Sequence, residues 1–136
     1  MRKTFNALDI SKGVITSRVS EGDICIDATA GRGNDTAFLC ELVGKSGKVT
    51  AFDIQSDAIE STRKLLEEKG LSDRAELILG SHTEMDKYAD EGTVSSITFN
   101  FGWLPGGDHT VHTNKDTSLE AVKKALRLIK KGGLIS

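Results

Sequence analysis

Short apolar runs and longer amphipathic stretches alternate along the chain. The short runs are bounded by turn-forming residues, as expected for strands buried on both faces of a sheet. They lie at Ile24–Ile26, Lys48–Asp53, Ala75–Leu79, Val94–Phe99 and, more briefly, Leu134–Ser136. The longer stretches carry apolar residues at helical spacing. They predict helices over Thr4–Ser20, from Asn34 or Asp35 to Gly44, and over Ser56–Lys69 with Ser56 as N-cap. They also predict a short helix around Met85 and Tyr88 and a long one from Lys115 or Asp116 to Lys131, which Gly132 and Gly133 end.

This alternation of strands and helices predicts an α/β fold with a mainly parallel sheet and right-handed crossovers, so that helices cover both faces. Its length of 136 residues suits a single domain spanning residues 1–136. A fifth strand of three residues is too short to complete such a sheet. We therefore expect the domain to be truncated, with C-terminal strands missing.

The stretch Ile24–Thr36, ICIDATAGRGNDT, carries the clearest functional signal. It reads as a strand, a glycine turn and a helix start, the unit that binds nucleotide cofactors in doubly wound sheets. Glycines allow close approach of a ligand, and free N–H groups at the helix start face it. The residues predicted to bind a cofactor here are Asp27, Thr29, Ala30, Gly31, Gly33, Asn34, Asp35 and Thr36. A turn that serves close packing alone is the alternative.

The spacing of this turn separates two classes of cofactor. The dinucleotide pattern G-x-G-x-x-G needs a third glycine where Thr36 stands. The pattern D-x-G-x-G-x-G fits better, with Asp27 as the acidic residue and Thr29 in place of the first glycine, and it resembles motif I of methyltransferases that use S-adenosylmethionine. A carboxylate at Asp27 suits a ligand with an ammonium group and repels a pyrophosphate.

Two further strand ends lie on the same edge of the predicted sheet. Asp53 follows Gly33 by 20 residues, where a carboxylate accepts hydrogen bonds from ribose hydroxyls. The next residues, Ile54 and Gln55, are placed in the same cofactor site. Ser81 and His82 end the third strand, at a position that commonly contacts adenine. A solvated Asp53, or a surface or capping His82, remain the structural alternatives.

The loop after the fourth strand, NFGWLPGGDH from Asn100 to His109, is the third candidate region. It loosely resembles the N-P-P-Y-type substrate loop of amino methyltransferases. The amide of Asn100 would hold the substrate amine and contact the cofactor, while Asp108 and His109 would accept its proton. The predicted substrate-binding residues are Trp103, which offers a face for base stacking, Pro105 and Gly106. The alternative for Trp103 is a hydrophobic plug under the loop.

Composition narrows the function classes only slightly. A net charge of −2 does not indicate a nucleic-acid binder, so RNA binding would need a local basic patch. The basic last helix is read first as a solvated face and only second as a contact for RNA phosphates. No metal is predicted, because His109 and His112 lack a third ligand. Cys25 and Cys40 are expected to be buried free thiols in a reducing cytoplasm, and no run is long enough to span a membrane.

Four segments together, DATAGRGNDT, AFDIQ, GSH and NFGWLPGGDHTVHT, resemble one bacterial family described as rRNA methylases. Its characterised members are tRNA 5-aminomethyl-2-thiouridine methyltransferases, and the resemblance runs from Glu21 to Ser136. It implies a Rossmann-like fold, S-adenosylmethionine as cofactor, and the wobble uridine of tRNA as substrate. Within the family pattern the cofactor site comprises Asp27, Gly31, Gly33, Asp53, Ser81 and His82, and Asn100 stands between cofactor and substrate.

Other functions remain open on the sequence alone. Within the same chemistry, the substrate could be rRNA or a small molecule. Outside it, the alternatives are a nicotinamide-dependent oxidoreductase, which shares Asp53, and a non-catalytic cofactor-binding or RNA-binding module. The oligomeric state is not indicated.

Overall fold

The computed structural model describes residues 7–99 and 115–136, with side chains placed for residues 12–99 and 119–136. The helices are α1 (Ala7–Arg18), α2 (Asn34–Val43), α3 (Ser56–Lys69) and α4 (Lys115–Leu128), and the strands are β1 (Ile24–Asp27), β2 (Lys48–Asp53), β3 (Ala75–Leu79), β4 (Val94–Thr98) and β5 (Ile129–Ile135). Two 3₁₀ helices, Ser72–Arg74 and His82–Lys87, flank β3.

The five strands form one parallel sheet in the order β3-β2-β1-β4-β5. Asp27 at the end of β1 is in register with Ala51 of β2 and Thr98 of β4, and Asp53 at the end of β2 is in register with Leu79. The carboxyl ends of the strands therefore meet along one edge, where open α/β sheets bind ligands. The predicted α/β parallel fold is confirmed.

Alternate residues of each strand feed two separate cores, because successive side chains point to opposite faces. Cys25 packs into the core formed with α1, α2 and α3, whereas Ile26 packs into the core formed with α4 and the 3₁₀ helix His82–Lys87. Helices thus cover both faces, as predicted.

Both predicted thiols, Cys25 and Cys40, are free and buried, and burial raises the pKa of each to about 12. They are therefore protonated and unreactive in the folded chain. The expected cytoplasmic location stays a prediction. Across the described ranges, no helix has the length and apolar character needed to cross a membrane.

The predicted start of α2 at Asn34 is confirmed, and its N-cap is Gly33, in a left-handed conformation with φ +92°. The predicted cap of α3 at Ser56 is wrong by one residue, since Gln55 caps α3 and Ser56 is its first helical residue. The Asp53 side chain accepts a hydrogen bond from the Gln55 N–H at the start of α3.

The prediction for the C-terminal end of the chain was wrong in its boundaries. The helix ends at Leu128 instead of Lys131, and β5 begins at Ile129 instead of Leu134. Ile129 pairs with Val94 and Leu134 with Ser96, so the intervening residues form an irregularity within the strand. A Cβ on Gly133 would lie 2.9 Å from the Ser95 carbonyl oxygen. Gly133 therefore allows this close strand contact, and neither glycine ends a helix.

Candidate functional site

The glycine turn between β1 and α2 is fastened to its neighbouring strands by backbone hydrogen bonds. The Ala28 N–H donates to the Thr98 carbonyl over 2.7 Å, and the Ala30 N–H donates to the Phe52 carbonyl over 2.8 Å. Gly31 adopts φ +57° and Gly33 φ +92°, both in the left-handed region that favours glycine. The turn consequently has a fixed shape across the ends of β4, β1 and β2.

Asp27 lies directly beneath this turn and is completely buried. Its Oδ1 accepts a hydrogen bond from the Thr29 N–H at 3.1 Å, and its Oδ2 accepts one from the Thr36 hydroxyl at 2.6 Å. Burial, together with the nearby charges of Asp35 and Asp53, raises the pKa of Asp27 to about 7, although its two hydrogen bonds lower it. Near neutral pH this carboxyl therefore exists in both protonation states.

Asp53 holds the same turn from the neighbouring strand. Its Oδ2 accepts a hydrogen bond from the Gly31 N–H at 3.0 Å, and its Oδ1 accepts one from the Gln55 N–H at 2.9 Å. Its backbone carbonyl accepts from the Gly80 N–H at 2.9 Å, which ties in the end of β3. Asp53 is only partly buried, so its carboxylate remains within reach of a ligand on the turn.

His82 and Ser81 support the site from the end of β3. His82 is 4% exposed, its Nδ1 lies 3.2 Å from the Ala28 carbonyl oxygen, and its ring meets Phe99 edge-on at 5.6 Å. Burial lowers the pKa of His82, so the neutral imidazole is favoured. The Ser81 hydroxyl accepts from the Thr83 N–H and caps the 3₁₀ helix His82–Lys87. His82 is thus a buried support of the turn, which does not fit its reading as a surface histidine.

The remaining predicted cofactor residues are more accessible. Asn34 and Ile54 are exposed, Ile54 to 48%, and Asp35 is partly buried in the first turn of α2. A groove of about 460 Å³ runs from the glycine turn along the outer side of α2, past Phe38 to Lys69. The turn therefore has open space beside it as well as a buried support below it.

Thr62 is a site residue that the sequence analysis missed. Its hydroxyl donates to the Gly31 carbonyl at 3.3 Å, and a Cβ on Gly33 would come within 2.8 Å of the Thr62 Cα. Thr62 is fully buried between Ile59 and Leu66 on the inner face of α3. A polar residue inside an apolar helical stripe is the signal that would have found it.

The loop predictions lie outside the described residues. This holds for the predicted catalytic residues Asn100, Asp108 and His109, for the substrate-binding residues Trp103, Pro105 and Gly106, and for His112. Across residues 7–99 and 115–136, no group of three or more His, Cys, Asp or Glu side chains is placed to hold a metal ion.

Comparison with known proteins relates this fold and site to one family. The family model described as "Putative rRNA methylase" matches residues 49–136. The chloroplastic tRNA (mnm5s2U34)-methyltransferase of Arabidopsis thaliana is 41% identical over 139 residues, covering 96% of this chain and 51% of the relative. The chain thus spans about half the length of this curated relative.

Solved structures agree with that relationship. A Clostridium thermocellum protein described as an rRNA methylase superposes with a TM-score of 0.93 at 46% identity. The match covers 98% of this chain and 72% of the Clostridium thermocellum chain. A Streptococcus mutans protein described as a "putative methyltransferase", solved in complex with SAH, superposes with a TM-score of 0.87 at 36% identity, with coverage of 98% and 72%.

Proposed function

This chain belongs to the rRNA methylase family, whose model matches residues 49–136, and we infer from that membership that it transfers a methyl group from S-adenosylmethionine. The family and fold predicted from the sequence are confirmed. The observation that carries the activity is the pair of carboxylates, Asp27 and Asp53, that holds one glycine turn from two neighbouring strands. This arrangement suits a ligand with both a ribose and a cationic amino-acid group.

The proposed contact with the ribose depends on the hydrogen-bond acceptor positions that the Asp53 carboxylate still has available. An ionised carboxylate offers about four acceptor positions. Asp53 uses one on each oxygen, for Gly31 and for Gln55. The remaining positions can accept hydrogen bonds from two vicinal ribose hydroxyls, as a carboxylate at this strand end does in related folds. The Streptococcus mutans relative, solved with SAH, supports the same class of ligand.

A dinucleotide fits the same turn less well. The third glycine of the dinucleotide pattern is replaced by Thr36, whose hydroxyl is engaged with Asp27. A pyrophosphate on this turn would lie close to the Asp53 carboxylate, and like charges repel. S-adenosylmethionine instead brings positive charge to the turn, because it carries a sulfonium and an ammonium group.

The substrate that we propose is RNA, and more specifically the aminomethyl nitrogen of a wobble 2-thiouridine in tRNA. The support is the 41% identity to a relative named for that tRNA position. In the reaction the nitrogen lone pair attacks the methyl carbon, the carbon–sulfur bond breaks, S-adenosylhomocysteine leaves and the nitrogen loses a proton. Asn100 would align the amine, and Asp108 or His109 would accept the proton. Trp103, with Pro105 and Gly106, would hold the splayed base.

A paired experiment tests the cofactor and the substrate. Calorimetric titrations with S-adenosylhomocysteine and with NAD should show binding of the first alone. Incubation with labelled S-adenosylmethionine and either bulk tRNA or bulk rRNA, followed by nucleoside mapping, should place the label on a tRNA 5-aminomethyl-2-thiouridine. NAD binding without S-adenosylhomocysteine binding would overturn the methyltransferase proposal, and label in rRNA alone would overturn the substrate.

A further inference from the structure

The hydrogen bond between Thr36 and Asp27 is the shortest of those that hold the glycine turn. The Thr36 hydroxyl donates to Asp27 Oδ2 at 2.6 Å, and both side chains are fully buried. Glycine stands at this place in the dinucleotide pattern, and neither glycine nor alanine could supply this donor to the Asp27 carboxyl.

The surroundings of Asp27 disfavour its charged form. The carboxyl is cut off from solvent, and the charges that act on it most strongly, Asp35 on α2 and Asp53 at the end of β2, are both acidic. Cys40, one turn further along α2, is itself affected by the Asp27 charge. His82, from the 3₁₀ helix below the turn, is favoured in its neutral form. A buried carboxyl among acidic neighbours retains its proton unless a positive charge arrives.

We propose that Thr36 is a positioning residue whose hydroxyl holds Asp27 so that the carboxyl gives up its proton when the ammonium group of the cofactor binds on the turn. The proton passes to solvent and an ammonium–carboxylate attraction replaces it. The inference rests on the proposed function, because it needs an S-adenosyl ligand with an amino-acid group. It adds that cofactor affinity is linked to one proton and that Thr36 sets the pH at which this linkage operates.

The sign of the linkage follows from the two states of Asp27. In the free protein the carboxyl is protonated below neutral pH, whereas in the complex it is ionised. Binding then releases a proton, so affinity should rise with pH and level off once Asp27 is ionised in the free protein. A single linked proton gives about a tenfold change in affinity per pH unit at its steepest.

Two ligands separate this inference from cofactor binding in general. S-adenosylhomocysteine carries the amino-acid group, and 5′-methylthioadenosine has the same nucleoside and thioether without it. Dissociation constants are measured by calorimetry between pH 5.5 and 7.5, below the pKa of about 7.7–8.0 that is usual for an α-amino group. We expect S-adenosylhomocysteine to bind more tightly as pH rises, with proton release seen in buffers of different ionisation heat, and 5′-methylthioadenosine to bind with no such dependence.

Variants of the pair then test Thr36 itself. Thr36→Val preserves the side-chain shape but removes the donor that favours the ionised carboxyl, so the midpoint of the S-adenosylhomocysteine profile should move to higher pH. Thr36→Ser keeps the hydroxyl and should keep the midpoint. Asp27→Asn should give a flat profile, and any slope left in it reports His82 or another group. Far-UV circular dichroism and thermal melts establish that each variant is folded.

The outcomes separate this inference from the proposed function. Equal pH dependence for the two ligands, or an unchanged midpoint in folded Thr36→Val, would overturn the inference while leaving cofactor binding in place. Failure of the folded wild-type chain to bind either ligand at any pH would overturn the proposed function, and the inference with it.

Discussion

Asp27 and Asp53 are the same residue type at the ends of neighbouring strands, yet the fold gives them different environments. Asp27 is fully buried, and one of its two partners is the side chain of Thr36. Asp53 is partly exposed, and both of its partners are backbone N–H groups, those of Gly31 and Gln55. Position along the sheet edge is therefore not enough to assign a role. Burial and the kind of partner distinguish the carboxyl of Asp27, enclosed beneath the turn, from the carboxylate of Asp53, which is accessible beside it.

The two carboxylates hold opposite ends of one short turn. Asp27 bonds the N–H of Thr29, and Asp53 bonds the N–H of Gly31 two residues later. A change in either carboxylate alters the turn on one side, whereas a change in the turn itself alters both contacts. We therefore expect a substitution in the turn to have a larger effect than a substitution of either carboxylate.

Gly33→Ala should produce the largest loss, because it displaces the frame on which both carboxylates act. The residue has φ +92°, and its new Cβ would come within 2.8 Å of the Thr62 Cα. A left-handed non-glycine residue costs about 1–2 kcal/mol and overpacking about 1–3 kcal/mol more, so we expect the free energy of unfolding to fall by about 2–5 kcal/mol. Urea denaturation measures it.

Gly70→Ala is the matched control for that substitution. Gly70 also has a left-handed φ of +70°, but nothing lies within 4 Å of the position that its Cβ would occupy. It should therefore lose only the conformational part, about 1–2 kcal/mol. Equal losses for the two glycines would show that the contact of Gly33 with α3 is not restrictive.

Asp27→Ala should mainly destabilise the fold. It leaves the buried Thr36 hydroxyl without its acceptor and opens a small cavity, which together cost about 2–4 kcal/mol of unfolding free energy. The measurement is a denaturation curve at pH 5, where the wild-type carboxyl is protonated. Asp27→Asn retains the shape, its amide oxygen can accept from the Thr29 N–H and its NH2 group can donate to the Thr36 hydroxyl, so it should lose much less. If Asp27→Ala were as stable as the wild type, Asp27 would not be a structural support of the turn.

Much of the fold could be predicted from the sequence, because its strands are apolar and its turns carry glycine. The strands β2 and β3 match their predicted ranges, and the end of α3 matches the glycine that follows it. The boundary between α4 and β5 could not be predicted. Lys130 and Lys131 favour a helix locally, but Ile129 gains a pairing with Val94 that only the folded sheet provides.

Several residues that contact the glycine turn could be identified from the sequence, but their contacts could not. Asp27, Asp53 and His82 were selected by their places at strand ends, which periodicity shows. The burial of His82 under Ala28 and the contact of Thr62 with the turn depend on how helices pack on the sheet, and no local pattern encodes them. The same holds for the hydrogen bond from Thr36, since the sequence showed only a missing glycine.

Asp53→Ala should affect ligand binding more than the stability of the fold, whereas Asp27→Ala should mainly affect stability. The N–H groups that it leaves are only partly buried and can be hydrated, so the free energy of unfolding should change by less than about 1 kcal/mol. Binding of S-adenosylhomocysteine should weaken by about 1–3 kcal/mol, because the ribose hydroxyls lose their acceptor. Calorimetry on the folded variant measures it. Unchanged affinity would show that Asp53 only fastens the turn, and the contrast with Asp27 would disappear.

We expect Asp27 to make the free energy of unfolding depend on pH. This dependence is the smallest effect that tests the difference in environment between Asp27 and Asp53. Its pKa is about 7 in the folded chain against an ordinary value of 3.8, so the folded state binds this proton more tightly than the unfolded state does. The stabilisation from Asp27 is therefore complete below about pH 4 and is lost as pH rises to about 7, by up to about 1.4 kcal/mol per pH unit. Urea denaturation of the wild type and Asp27→Asn between pH 4 and 8 isolates this change as the difference between their curves, because all other titrating groups are shared. Parallel curves would mean that the buried carboxyl titrates as it does in the unfolded chain, and burial would then not distinguish Asp27 from Asp53.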